Sequence, residues 1–103
     1  MKRLKSKKIT DSAKGEDCTI RIPGVCNHNP ETTVAAHYRM NGMSGAGLKP
    51  HDTMIAYACS DCHAVVDGQK KTTADKEYLR NWHAEGVFKT QQILIEKGLI
   101  KIA

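Results

Sequence analysis

The sequence predicts a small α+β domain with a zinc-stabilised core and a C-terminal helix. Three observations carry that prediction. Two short runs of β-formers flank a glycine-rich loop. All four cysteines fall in two clusters, Cys18 with Cys26 and Cys59 with Cys62. A long helical pattern fills the C-terminal third, from Thr72 to a stop at Gly98.

A chain of 103 residues fits one domain. Its hydrophobic fraction is 40% and its aromatic fraction 5%, so the core is thin and metal or cross-links are expected to supply part of the stability. The formal net charge is +5, which favours polyanions such as nucleic acid or acidic membrane surfaces without choosing between them. Residues 1–13 read as a flexible basic arm in which Lys2, Arg3, Lys5, Lys7 and Lys8 are free to follow phosphates, and residues 14–103 as a single folded domain. No apolar h-region follows the basic cluster, and no run approaches the ~18 apolar residues of a membrane span. A cytoplasmic setting follows, where thiols stay reduced and spaced cysteines serve more often as metal ligands than as disulfides.

Along the chain, the alternating run Cys18–Ile22 reads as a short strand. Pro23-Gly24 and Cys26-Asn-His-Asn-Pro30 read as turns that present two sulfurs to one ion. Thr32–Tyr38 is rich in β-formers and reads as a strand ending near His37. Residues 41–50 hold three glycines and form a loop, without the Gly-Lys-Ser/Thr ending of a phosphate-binding P-loop. Thr53–Ala58 is a second apolar strand. A short helix capped by Ser60 or Asp61 carries Cys62 through Asp67 and stops at Gly68. Thr72-Thr-Ala-Asp75 resembles a capping box for the last helix, whose apolar content is Tyr78, Leu79, Trp82, Phe88, Ile93 and Ile95, with Gly86 as a point of bending.

Cys59-x-x-Cys62 has the spacing that places two thiolates on one tetrahedral zinc; Cys18 and Cys26 are more widely spaced but complete a four-sulfur set. Cys59-x-x-Cys62-His63 also matches the c-type haem attachment signature, which requires export and leaves Cys18 and Cys26 idle. A thioredoxin-like redox site lacks its βαβ surroundings. The zinc deaminase signature fails because Tyr38 and Arg39 follow His37, and Ala58 precedes Cys59.

His37 at a strand end and His63 at a helix start suit phosphodiester hydrolysis, which needs a base for water and a cation for the developing charge. Asp67, four residues after His63, shares its helix face and is placed to bind the cation or orient the imidazole. Arg39, Lys49, Lys70 and Lys71 flank this constellation and are candidate phosphate contacts. His28, His51 and His83 read as ordinary loop or helix residues.

The run Ala36-His37-Tyr-Arg, the glycine-rich loop, the second strand and Cys59-Ser-Asp-Cys62-His63 together resemble the HNH, or His-Me finger, endonucleases. Over roughly residues 14–102 the chain more closely resembles the small phage and prophage family of YbcO-like nucleases. That likeness rests on Arg21-Ile-Pro-Gly-Val-Cys26-Asn, Asn29-Pro-Glu-Thr, Ala36-His37, Ala58-Cys59-Ser, Cys62-His63, Glu85-Gly86 and Thr90-Gln91. The resemblance implies a treble-clef-like ββα-metal core in which His37 is the general base and His63 binds a catalytic magnesium or manganese ion. It also implies a structural zinc on Cys18, Cys26, Cys59 and Cys62. The implied substrate is DNA in a bacterial host cell, including the branched intermediates cut by phage Holliday-junction resolvases. The chain departs from the family at Ala36, where many members carry an aspartate ligand. Asp52 sits near the family's middle asparagine, so Asp67 or Asp52 would complete the catalytic metal site. The alternatives are a non-catalytic zinc-stabilised nucleic-acid-binding module, which Ala36 favours, and a protein-interaction zinc module. The sequence sets no oligomeric state.

Overall fold

The computed structural model describes residues 3–40 and 50–101, and the arrangement is a small α+β fold with a two-stranded sheet and three helices among them. In chain order these are α1 (Lys7–Asp11), β1 (Val34–His37), β2 (Ile55–Ala58), α2 (Ser60–Val66) and α3 (Lys76–Glu96). The strands pair antiparallel, with Val34 opposite Ala58 and His37 opposite Ile55. Both strands are shorter than the sequence suggested but lie within the expected segments.

Strand β2 is buried along its whole length, and its two-residue periodicity divides the core. Ala56 and Ala58 face a cluster with Cys18, Ile20, Ile22, Ala36, Cys59, Cys62, Val65 and Val87. Ile55 and Tyr57 face a second cluster with Ile9, Ala13 and Leu94. The outer edge of β2 is covered rather than paired. The Tyr57 amide donates to Thr90 Oγ1 (3.0 Å), and the Tyr57 carbonyl accepts from the Thr19 amide (2.7 Å) and Thr19 Oγ1 (3.1 Å). These contacts occupy the β2 edge at Tyr57, where another strand would otherwise add.

That arrangement corrects the expected strand at Cys18–Ile22. The segment lies against β2, but Arg21 has φ +49°, a left-handed conformation that ends an extended run. Arg21 is held there by its Nε donating to the Cys18 carbonyl (2.8 Å) and its amide donating to Cys18 Sγ (3.4 Å).

The arm expected over residues 1–13 is helical at Lys7–Asp11 and packed against the sheet. Ser6 caps α1, accepting from the Ile9 amide at 3.3 Å, and Ile9 and Ala13 are buried at the i, i+4 spacing of one helix face. Ser12 Oγ meets the Tyr57 hydroxyl at 2.7 Å. Lys5, Lys7 and Lys8 are exposed, whereas Arg3 is engaged by the residues around Asp52.

The caps also differ from expectation. Cys59, not Ser60 or Asp61, caps α2, its sulfur accepting from the Cys62 amide at 3.4 Å. Asp75 is itself the cap of α3, accepting from the Tyr78 amide at 2.8 Å, and does not close a box begun at Thr72. Gly68 (φ +79°) and Gly98 (φ +74°) follow α2 and α3 as the sequence indicated.

Helix α3 is continuous over 21 residues, and its buried stripe is His83, Gly86, Val87, Thr90 and Leu94. Phe88, part of the helix's apolar content, is 68% exposed. Gly86 does not split the helix. It lets the helix approach the sheet, since a Cβ there would lie 2.9 Å from Ile20 Cγ1 and 3.1 Å from Ala56 Cβ. Gly86→Ala should therefore destabilise the protein. Overpacking costs about 1–3 kcal/mol, against a gain of up to about 1 kcal/mol in helix propensity. A thermal melt checks this: Tm should fall by roughly 5 °C, and an unchanged or raised Tm would show that Ile20 yields freely.

His83 Nε2 donates to the Ala36 carbonyl at 3.0 Å, tying α3 to β1 beside His37. Burial is the main cause that holds the His83 imidazole below its ordinary value of 6.5. Its contribution to stability is thus present above pH 6.5 and lost as pH falls through its lower native value. Urea unfolding at pH 8 and pH 5.5 should show a smaller acid loss in His83→Gln than in the parent.

Candidate active site and metal centre

Four sulfurs converge where the turn after Ile22 meets the junction of β2 and α2. The Sγ atoms of Cys18, Cys26, Cys59 and Cys62 all lie within 4.8 Å of one another, and none is disulfide-bonded. Cys26 and Cys59 are 3.9 Å apart. A tetrahedral ion with Zn–S bonds of about 2.3 Å requires S–S edges of about 3.8 Å, so this set fits a metal ion such as zinc. Backbone amides of Arg21, Asn27 and Cys62 point at the sulfurs (3.4–3.5 Å), the donors that thiolates need. Asn27 Nδ2 donates to Asp61 Oδ2 (2.9 Å) and Ser60 Oγ (3.1 Å), locking the Cys26 turn to the start of α2.

Without a cation the sulfurs cannot ionise together. A hydrogen bond from Cys62 draws the Cys18 thiol down to about 4, and the same bond pushes Cys62 up. Burial pushes Cys26 up to about 11. Zinc titration at pH 7 should saturate at about one ion per chain and release protons from Cys26 and Cys62. Calorimetry in buffers of different ionisation enthalpy measures that release; saturation without proton release would contradict the four-thiolate centre.

His37 and Arg39 from β1 and its exit, His63 and Asp67 from α2 and its C-terminal end, and Lys70 and Lys71 beyond it line one open cleft of about 710 Å³. His63 directly follows the metal-centre Cys62, and the Asp67 amide donates to the His63 carbonyl (2.9 Å), placing Asp67 one turn later. Asp67 is exposed, its Oδ2 accepting from Gln69 Nε2 (3.1 Å). Lys70 Nζ also pairs with Asp61 at 3.4 Å on the surface. Lys49 lies outside the described residues.

Asp52 has a different place from the one the sequence offered it. It is 2% exposed, does not line the cleft, and has both oxygens engaged. Oδ1 accepts from His37 Nε2 (2.8 Å) and Arg3 Nη2 (3.2 Å), and Oδ2 accepts from the Ser6 amide (2.7 Å). Burial raises the Asp52 pKa, but the donors and charges of His37, Ser6 and Arg3 outweigh it and hold the carboxyl below its ordinary 3.8. The carboxylate is ionised, so in the neutral imidazole Nε2 carries the hydrogen and Nδ1 keeps its lone pair. Asp52 orients His37, and both of its oxygens already accept hydrogen bonds. Ala36 is buried in the core.

Arg80 of α3 is a cleft residue that sequence reasoning missed. Its guanidinium stacks on Tyr38 at 4.6 Å from the ring centroid, and its Nη2 donates to the Arg39 carbonyl at 3.3 Å. Residues 42 apart in sequence meet here only through the tertiary fold; no local pattern marks the pair.

Comparison with known proteins places the chain in a family. The model of the family described as "Putative nuclease YbcO" matches residues 7–99. Over 93 residues the chain is 44% identical to "Putative nuclease YbcO" of Escherichia coli strain K12 and to "Putative nuclease ybcO" of Enterobacteria phage 82, covering 90% of this chain and 96% of each relative. A solved structure described as that of "a putative bacteriophage protein from Escherichia coli str. K-12 substr. MG1655" superposes with a TM-score of 0.73 at 40% identity, covering 86% of this chain and 98% of that one. The chain therefore belongs to the family described as "Putative nuclease YbcO".

Proposed function

We propose that this protein is a metal-dependent DNA endonuclease of the HNH, or His-Me finger, type, acting in the cytoplasm of a bacterial host. In this reading β1, β2 and α2 form the ββα-metal core, and Cys18, Cys26, Cys59 and Cys62 bind a structural zinc. The observation that carries it is the hydrogen bond from His37 to the buried Asp52, with His37 lining the cleft that His63 and Asp67 also line. His37 has the features of a general base: a ring held by a buried carboxylate and a free Nδ1 lone pair for a water proton. Arg39, Lys70, Lys71 and Arg80 line the same cleft and supply positive charge for phosphate oxygens. The carboxylate and imidazole of Asp67 and His63 suit a divalent cation such as magnesium or manganese. That cation would supply charge stabilisation at the scissile phosphate. Branched recombination intermediates are the DNA substrates proposed from the family resemblance. No helix of the described residues is long and apolar enough to cross a membrane.

One observation favours a second reading. Ala36 stands where the HNH resemblance implies a metal-binding aspartate, which fits a zinc-stabilised module that binds nucleic acid without cutting it. Cleavage assays decide between the two. With magnesium or manganese the parent should nick or cut branched or duplex DNA, and His37→Ala should lose about 10²–10⁴-fold in rate at unchanged zinc content. Equal cleavage by His37→Ala would reject the base assignment. Binding without cleavage of any branched, duplex or single-stranded DNA would establish the non-catalytic module instead.

A further inference from the structure

We propose that the N-terminal segment Arg3–Ser6 is part of the active site's framework, with Arg3 as a positioning residue that acts on His37 through Asp52. This inference rests on the reading of His37 as a base. Five hydrogen bonds join residues 3–6 to residues 50–52. Arg3 donates from Nε to the Pro50 carbonyl (3.0 Å) and from Nη2 to Asp52 Oδ1 (3.2 Å). The Leu4 amide donates to His51 Nδ1 (2.7 Å), and the Leu4 carbonyl accepts from the Asp52 amide (2.9 Å). The Ser6 amide donates to Asp52 Oδ2 (2.7 Å).

The geometry has a direction. Arg3 and His37 share one oxygen of Asp52, while Ser6 fixes the other. The carboxylate is held at both oxygens, so the imidazole it receives is held too. A buried carboxylate with only one donor would lose the compensation its burial demands. The guanidinium fork makes both of its contacts at once, which a lysine's single ammonium cannot reproduce with the same planarity. A basic N-terminus read only as a phosphate tether would leave Arg3 in solvent; here its side chain is 31% exposed and pointed at the carboxylate.

The test is a double-mutant cycle on cleavage of a DNA substrate, using the full chain with Arg3→Gln, Asp52→Asn and both. Arg3→Gln should lower kcat by about 10- to 100-fold through misplacement of the base, with KM within twofold. It should add little in the Asp52→Asn background, because Arg3 acts through that carboxylate. A raised KM at unchanged kcat would make Arg3 a phosphate contact and overturn the proposal, as would an equal kcat loss in both backgrounds. If the parent does not cleave, the nuclease reading has failed and NMR decides the inference alone. The His37 Nε2–H resonance, protected from exchange by Asp52, should broaden away in Arg3→Gln. Its persistence there would overturn the proposal.

Discussion

Four thiols within 4.8 Å of one another are the constraint around which this chain is arranged. A domain with one tryptophan, one phenylalanine and three tyrosines has few large side chains with which to fix its elements. The sulfurs do what the core cannot. They join the turn after Ile22 to the end of β2 and the first turn of α2, and Cys59 both belongs to this centre and caps that helix. The amide donors to the sulfurs come from the left-handed turn at Arg21, from Asn27 and from α2 itself, so backbone conformation and sulfur chemistry support each other. His63 follows Cys62 directly, and its position is inherited from this centre.

A second constraint acts at the other end of the hairpin. Asp52 is a buried carboxylate, and burial without donors would be costly. Its donors come from β1, from the N-terminal segment and from the cap of α1, which draws these separate stretches together and orients the His37 ring. His83 reaches from α3 to the Ala36 carbonyl, one residue from His37, and fixes the strand from the opposite side. The candidate base thus sits between two buried polar contacts, while the candidate metal ligands sit on a helix whose first turn carries the sulfur centre. The cleft is rimmed by cations from the segments after β1 and α2 and from α3.

Much of this was legible in the residues. Cysteine spacing gave the four-sulfur set, β-former runs gave both strands, and Gly68 and Gly98 gave the helix stops. The order histidine, loop, strand, Cys-x-x-Cys-His was enough to expect His37, His63 and Asp67 near one another. What was not legible depends on distant partners. Asp52 lies in a polar stretch fifteen residues from His37, and nothing local reveals their hydrogen bond. The short α1 hid its two buried residues, Ile9 and Ala13, among lysines. The buried stripe of α3 contains His83, Gly86 and Thr90, which a hydrophobic pattern does not pick out, whereas the apolar Phe88 lies outside it. The stacking of Arg80 on Tyr38 likewise exists only once α3 has packed beside β1.

The central claim is that this fold brings a carboxylate-held base and a divalent-cation site to one cleft beside a separate four-sulfur centre. Crystals grown with manganese, with anomalous data collected at the zinc and manganese edges, measure that directly. The account predicts two sites: zinc among Cys18, Cys26, Cys59 and Cys62, and manganese on His63 and Asp67 in the cleft that His37 lines. Manganese absent from the cleft at saturating concentration, or bound instead to Asp52 with its contact to His37 broken, would contradict it.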